Sequence, residues 1–151
     1  MTPINKNAPQ VLGSGSKVKD ICNQVGPGWR LPTYLEADTL ERFASWHNAP
    51  INRYVGYYTK PNKVDSVYGV YFGTNARPSY ANQDKYLFIP FAGAYNSGVM
   101  YNFNSIGFYW HTGMDGGQGT SFQFAPGYMS PRNSGGLDDR RANTVRCVKP
   151  N

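Results

Sequence analysis

The sequence predicts an α+β domain in which one main helix is followed by short antiparallel strands and long loops. Three observations support this prediction. The 151-residue chain has the length of a single domain. Its 17 glycines and 11 prolines favour many turns and short strands over long helices. One segment carries strong helix signals, and after it the hydrophobic pattern changes to the period of two that is typical of strands.

The helix is predicted to begin at Thr33 and to end before Pro50. Thr33 and Glu36 have the spacing of a capping box, in which each residue satisfies a free backbone N–H group of the other. The residue before a proline avoids the helical region, so Pro50 marks the end. Apolar side chains near helical spacing predict one buried stripe, formed by Leu35, Thr39, Leu40, Phe43 and Trp46.

Strands are predicted from apolar and alternating segments in the rest of the chain. Residues 1–20 are expected to be a polar leader with a possible edge strand at 10–12, and residues 21–151 to form the folded domain. No apolar run reaches the ~20 residues of a membrane span, so no membrane insertion is expected. The predicted strands are 67–73, 85–91, 107–111, 120–124 and 143–149, and 53–59 is either a strand or an aromatic loop.

The formal net charge of +6 makes nucleic acid a partner to consider, but the distribution of the charges argues against it. Segment 86–131 contains no Lys or Arg and a single acid, Asp115. A protein that follows a phosphate backbone needs cations interleaved with its aromatic residues. We therefore expect no nucleic-acid partner.

The two cysteines, Cys22 and Cys147, stand 125 positions apart, and their spacing alone does not distinguish a disulfide from two buried thiols. We favour a structural disulfide, on the condition that the protein occupies an oxidising compartment. His47 and His111 have no Cys or second His at metal-ligand spacing, so neither a metal nor another cofactor is expected.

Four sequence blocks, in this order, resemble a known family. They are Gly-Trp-Arg-Leu-Pro-Thr at 28–33, Tyr-Leu-Phe-Ile-Pro-Phe-Ala-Gly at 86–93, Phe-Tyr-Trp at 108–110 and Val-Arg-Cys-Val at 145–148. The set is similar to the Fibrobacter-type major paralogous domain and to the variable proteins of diversity-generating retroelements. The resemblance extends from Cys22 to Lys149, which is nearly all of the chain. The chain departs from the family pattern at His111 and Thr112, where Ser-Ser is usual, and it lacks the glycine that commonly precedes the last strand.

The resemblance implies a C-type-lectin-like fold and a non-catalytic domain for receptor recognition, with its diversified residues in the C-terminal third. Segment 94–141 is rich in Tyr, Asn, Ser and Gly, the mixture that antibody binding loops use. We expect aromatic anchors at Tyr101, Tyr109 and Tyr128. The candidate ligand-binding residues are Tyr95, Asn96, Tyr101, Asn102, Asn104, Tyr109, His111, Met114, Asp115, Tyr128, Arg132, Asn133, Asp138, Asp139 and Arg140.

The expected partner is a protein or a glycan on another cell, and the expected location is extracellular, at a cell surface or a phage tail tip. A homo-oligomer is possible because multiple copies would raise the avidity of weak contacts. The alternative is an invariant surface adhesin or pilus-tip domain of the same fold. Calcium-dependent sugar binding is not expected, since the triplets that collect oxygen ligands around the ion are missing. No Ser/His/acid trio or phosphate loop stands out, so no enzyme activity is expected.

Overall fold

The computed structural model describes residues 20–44, 52–115, 118–133 and 141–149. Within these ranges it confirms an α+β domain, with one α-helix and short antiparallel strands in three small sheets. No helix in the described ranges is long and apolar enough to cross a membrane. The helix α1 is Tyr34–Ala44, and short 3-10 helices lie at Ile21–Gln24 and Gln83–Lys85. The strands are β1 (Arg53–Thr59), β2 (Ser66–Phe72), β3 (Leu87–Pro90), β4 (Ala94–Asn96), β5 (Val99–Tyr101), β6 (Gly107–Asp115), β7 (Gln118–Ala125), β8 (Tyr128–Asn133) and β9 (Arg141–Asn143).

The three sheets have the strand orders β1-β2-β3, β5-β4-β9 and β6-β7-β8. Two isolated parallel bridges, Gly93 with Gly107 and Tyr109 with Thr144, join the second sheet to strand β6 of the third. The predicted strand at 143–149 is replaced by the shorter β9 and by bridges at Thr144 and Val148. Strand β6 is therefore a central element with neighbours on both of its edges.

The start of helix α1 is the predicted capping box. The Thr33 N–H donates to Glu36 Oε2 at 2.8 Å, and the Glu36 N–H donates to Thr33 Oγ1 at 3.1 Å. Arg30 reaches the same carboxylate with two guanidinium nitrogens, at 2.7 and 2.8 Å, and also donates to the Leu31 carbonyl. These hydrogen bonds, the one from Arg30 first, hold the pKa of Glu36 at about 2. One carboxylate thus joins the helix start to the chain that precedes it.

The predicted buried stripe of the helix is confirmed at Leu40 and wrong at Leu35, Thr39 and Phe43. Leu35 and Phe43 are exposed, whereas Ala37 and Ala44 are buried and Leu40 packs against the core. The buried positions follow helical spacing, but the alanines have small side chains because α1 packs directly on strands β6 and β8. Large apolar side chains alone therefore do not mark the buried face of this helix. Trp46, the last member of the stripe, lies outside the described residues.

The two ends of the domain meet, as the preferred interpretation of the cysteines predicted. Cys22 and Cys147 form a disulfide with a Cα–Cα distance of 5.5 Å. Beside it, the backbones of Arg30 and Val148 exchange two hydrogen bonds at 2.8 and 2.9 Å. The Asp20 carboxylate accepts from the N–H groups of Cys22 and Leu31, at 2.9 and 2.7 Å. The first and last described segments are thus held together by one covalent bond and several hydrogen bonds.

The hydrophobic core is centred on Phe124, which is fully buried. Its ring lies 5.2 to 5.6 Å from the rings of Phe91, Tyr109 and Phe122. The packing leaves no spare volume at Gly107, where an added Cβ atom would lie 2.3 Å from Cζ of Phe124. Core residues therefore come from β6 and β7 as well as from the segment after β3.

A side chain occupies part of the outer edge of β1. The buried Gln83 donates from Nε2 to the Thr59 carbonyl at 2.7 Å and accepts the Thr59 N–H at 3.0 Å. The Tyr71 hydroxyl donates to the Tyr57 carbonyl at 3.0 Å. These groups make bonds of the kind that a fourth strand would supply.

Candidate functional site

The structure divides the predicted site residues into groups with different surroundings. Tyr95, Asn96, Asn102, Asn104 and Tyr128 are exposed, and Tyr101 is half-buried. Tyr109 and His111 are buried. Met114 and Asp115 belong to β6, and Arg132 and Asn133 to β8, with only their strand positions described. Asp138, Asp139 and Arg140 lie outside the described residues.

The prediction that Tyr109 and His111 belong to an exposed surface is wrong. Only 6% of Tyr109 and 1% of His111 is accessible to solvent. The Tyr109 ring stacks on Phe124, its hydroxyl donates to the Pro90 carbonyl at 2.8 Å, and burial raises its pKa far above the ordinary value. The His111 ring lies 5.7 Å from that of Tyr34 on the helix. Both are scaffold residues because β6 runs through the interior.

Two of the exposed candidates, Tyr95 and Asn96, lie on the hairpin formed by β4 and β5. Ser97 and Gly98 connect the strands, and both have positive φ angles, 52° and 83°, as in the two-residue turns that match the twist of a hairpin. Tyr95 pairs with Met100 across the hairpin, and with Ala142 on its other side. Side chains of directly paired residues share a face. Tyr95 and Met100, each 45% exposed, therefore lie side by side in solvent.

The chain turns sharply after β5, and the turn constrains Asn102 and Asn104. Both have left-handed backbones, with φ of 55° and 59°, a conformation that asparagine tolerates better than most residues. The Asn104 N–H donates to the Phe91 carbonyl at 2.9 Å. Gly93 approaches this turn so closely that a Cβ atom there would lie 2.5 Å from the Tyr101 carbonyl oxygen. The exposed asparagines thus have a structural reason for their identity as well as a possible role in binding.

Sequence reasoning missed three exposed side chains in the same segment, namely Val99, Met100 and Phe103. The Tyr, Asn, Ser and Gly mixture that indicated the binding segment does not include Val, Met or Phe. The Ser-Gly pair at 97–98, with apolar residues around it, was the available hairpin signal. We define the hairpin surface as the exposed side chains of Tyr95, Asn96, Val99, Met100 and Phe103.

The hairpin surface is uncharged. From 93 to 110 the chain contains no Asp, Glu, Lys, Arg or His. Tyr128, the remaining exposed tyrosine of the predicted set, belongs to the β6-β7-β8 sheet, and its hydroxyl is hydrogen-bonded to the Gln123 amide. Among the described residues, no three His, Cys, Asp or Glu side chains are grouped so that they could hold a metal ion. The hairpin surface offers aromatic and apolar contact area with one amide group, that of Asn96.

Comparison of the chain with protein-family models, with curated proteins and with solved structures finds no significant match.

Proposed function

We propose that this protein is a non-catalytic ligand-binding domain that presents a diversified receptor-recognition surface on a C-type-lectin-like scaffold. The observation that carries the proposal is the hairpin surface, where large uncharged side chains project from a firmly held backbone. Tyrosine gives a large contact area at a low cost in conformational entropy, and methionine adapts to irregular partners. A partner that covers Tyr95 and Met100 together would gain affinity from their burial.

The closure of the domain supports the scaffold part of the proposal. Within the block at 28–33, Arg30 pairs with Val148, and the Pro32 carbonyl accepts the Thr112 N–H at 2.9 Å. The same block leads directly into helix α1 and connects it with β6 and the C-terminal segment. The disulfide fits an extracellular location, at a cell surface or a phage tail tip, because such bonds persist in oxidising compartments.

Diversification would act on exposed positions and spare interior ones. Tyr95 and Asn96 can change without disturbing a packed core, whereas Tyr109 and His111 cannot. Asn102 and Asn104 tolerate fewer substitutions than Tyr95 and Asn96, because residues branched at Cβ would strain their left-handed backbones. Of the ligand-binding residues predicted from the sequence, Tyr109 and His111 are therefore not part of the proposed surface.

The test is to sequence this locus in several isolates and to examine its genomic surroundings. The proposal expects substitutions concentrated at Tyr95, Asn96 and Tyr128, constant residues at 107–111 and 121–125, and a nearby reverse transcriptase gene. It also expects a near-copy of the 3′ end that differs only at adenines. Substitutions spread evenly over exposed and buried positions would contradict it. An unvarying hairpin surface would favour the alternative, an invariant adhesin or pilus-tip domain.

A further inference from the structure

The β1-β2-β3 sheet carries a second aromatic surface, outside the C-terminal third. One face of this sheet contributes Val70, Phe72 and Ile89 to the hydrophobic core. Because side chains alternate along a strand, Tyr54 and Tyr58 lie on the opposite face. The register places Tyr71 opposite Tyr54, and Phe88 opposite Tyr71. We call this the tyrosine face, and it consists of the partly exposed Tyr54, Tyr58 and Phe88 around Tyr71, which is buried.

Two glycines allow aromatic rings to lie against this face. Gly56 and Gly69 pair directly across β1 and β2. A Cβ atom at Gly56 would lie 2.6 Å from Cε1 of Tyr54, and one at Gly69 would lie 2.8 Å from Cζ of Phe88. The rings of Tyr54 and Phe88 therefore rest on glycine backbone, and both side chains remain partly exposed. Because the rings of Tyr58 and Tyr71 also flank Phe88, a ligand can reach the exposed part of Phe88 and the ring of Tyr54.

Polar groups surround these rings. The Tyr58 ring lies 5.3 Å from that of Phe88, and its hydroxyl donates to Asp84 Oδ1 at 2.7 Å. That hydrogen bond is the main cause of the raised pKa of Tyr58, and the nearby Tyr80 adds to it. Lys63 Nζ lies 5.2 Å from the centre of the Tyr80 ring. The tyrosine face thus has a carboxylate and a cation at its margin.

Cations outnumber acids around this sheet. Between 53 and 88 the chain has five Lys or Arg residues and two acids, Asp65 and Asp84. Four of the cations are exposed, and none of the four is ion-paired with another described residue: Lys60, Lys63, Arg77 and Lys85. Arg77 is close enough to act on the ionisation of the Tyr71 hydroxyl. Cations are therefore interleaved with aromatic residues here, in contrast to segment 86–131.

We propose that the tyrosine face binds an acidic polysaccharide, with sugar rings on Tyr54, Tyr58 and Phe88 and sugar carboxylates near Lys63 and Arg77. The unpaired cations favour an anionic ligand over a neutral one. The Asp84 carboxylate can accept hydrogen bonds from sugar hydroxyls but would repel closely spaced phosphates, which favours a polysaccharide over a nucleic acid. This site is separate from the hairpin surface and does not depend on the function proposed for it.

The experiment is a calorimetric titration of the whole protein with a galacturonic acid oligomer of defined length, at two salt concentrations. A neutral galactose oligomer of the same length and oligo-dT serve as comparison probes. We expect the acidic oligomer to bind at least about tenfold more tightly than the neutral one and to weaken as salt rises. Tyr58→Ala should weaken binding about fivefold to tenfold, while Tyr58→Phe, which keeps the ring, should retain it. Tyr95→Ala on the hairpin surface should leave this binding unchanged.

A charge variant keeps the test informative if Tyr58→Ala does not fold. The double substitution Lys63→Ala with Arg77→Ala changes exposed residues and should reduce both the affinity and its salt dependence. Three results would overturn the proposal: no binding of the acidic oligomer at millimolar concentration, equal binding of the neutral oligomer, or binding that both sets of variants leave unchanged. Tighter binding of oligo-dT, lost in the same variants, would also overturn it and identify a nucleic-acid site.

Discussion

Two segments of this chain have similar compositions and opposite surroundings. Residues 94–104 and 107–111 are both rich in aromatic residues and lack carboxylates. Yet Tyr95 is 45% exposed, whereas Tyr109 is 6% exposed. The hairpin exposes side chains on both of its faces near the turn, Tyr95 on one and Val99 on the other. Strand β6 is covered on both faces: Tyr109 contacts Phe124 on one side, and the ring of Phe108 lies 5.6 Å from that of Tyr101 on the other. Composition thus indicates a segment rich in aromatic side chains, and strand pairing decides which of these side chains are exposed.

Removing the disulfide should have the largest effect, because it holds the frame on which both segments depend. In the chain-entropy model, the double variant Cys22→Ser with Cys147→Ser should lower the free energy of unfolding by ~4–5 kcal/mol. Urea denaturation with circular dichroism measures the loss. Adding a reductant should destabilise the natural protein but not the double variant. A loss of less than ~1 kcal/mol would mean that the hydrogen bonds between Arg30 and Val148 suffice to close the domain.

The matched pair Tyr109→Ala and Tyr95→Ala tests the comparison directly. Tyr109→Ala should lower the free energy of unfolding by ~3–5 kcal/mol, because it leaves a cavity beside Phe124 and removes the hydrogen bond to Pro90. Tyr95→Ala removes a side chain from solvent and should cost less than ~1 kcal/mol. Equal losses in urea denaturation would show that the hairpin is as tightly packed as β6 and would weaken its proposed role in display.

The smallest expected effect concerns the pH dependence of Glu36. Its pKa is about 2 in the folded protein, against an ordinary value of 4.5. A lowered folded-state pKa means that the ionised carboxylate stabilises the fold above about pH 4.5 and that this contribution is lost as the pH falls towards 2. Because Arg30 and Glu36 are both partly exposed, Glu36→Gln should cost no more than ~1 kcal/mol at pH 7.

The Glu36→Gln difference should disappear in urea denaturation near pH 2, where the natural carboxyl is itself becoming protonated. A difference that stays constant between pH 7 and pH 2 would show that the charge of Glu36 contributes nothing to stability. The helix start would then be held by the neutral hydrogen bonds of the capping box alone.

Local signals were read correctly from the sequence, whereas of the tertiary ones the disulfide was predicted and the burial of individual side chains was not. The start of the helix follows from Thr33 and Glu36, which are three residues apart and contact each other. The buried face of the helix depends on how closely a sheet approaches it, and so Ala37 and Ala44 went unrecognised.

The candidate binding residues were likewise predicted only in part. The tyrosine and asparagine content of the C-terminal third indicated where to look, and Tyr95 and Asn96 are indeed exposed. The three-residue strands β4 and β5 are too short to produce a clear alternating pattern, so the hairpin was not predicted. The burial of His111 follows from helix α1 on one side of β6, which no pattern within 107–111 reveals.

The hydrogen bonds that the Gln83 amide makes to Thr59 matter when many copies of the protein lie close together. A protein displayed in many copies brings identical sheet edges close together, and a free edge invites strands of adjacent molecules to join in continuous ribbons. At Thr59, one side chain already takes both the donor and the acceptor that such joining would need. Neighbouring copies of this domain would therefore meet a blocked edge at the Thr59 end of β1.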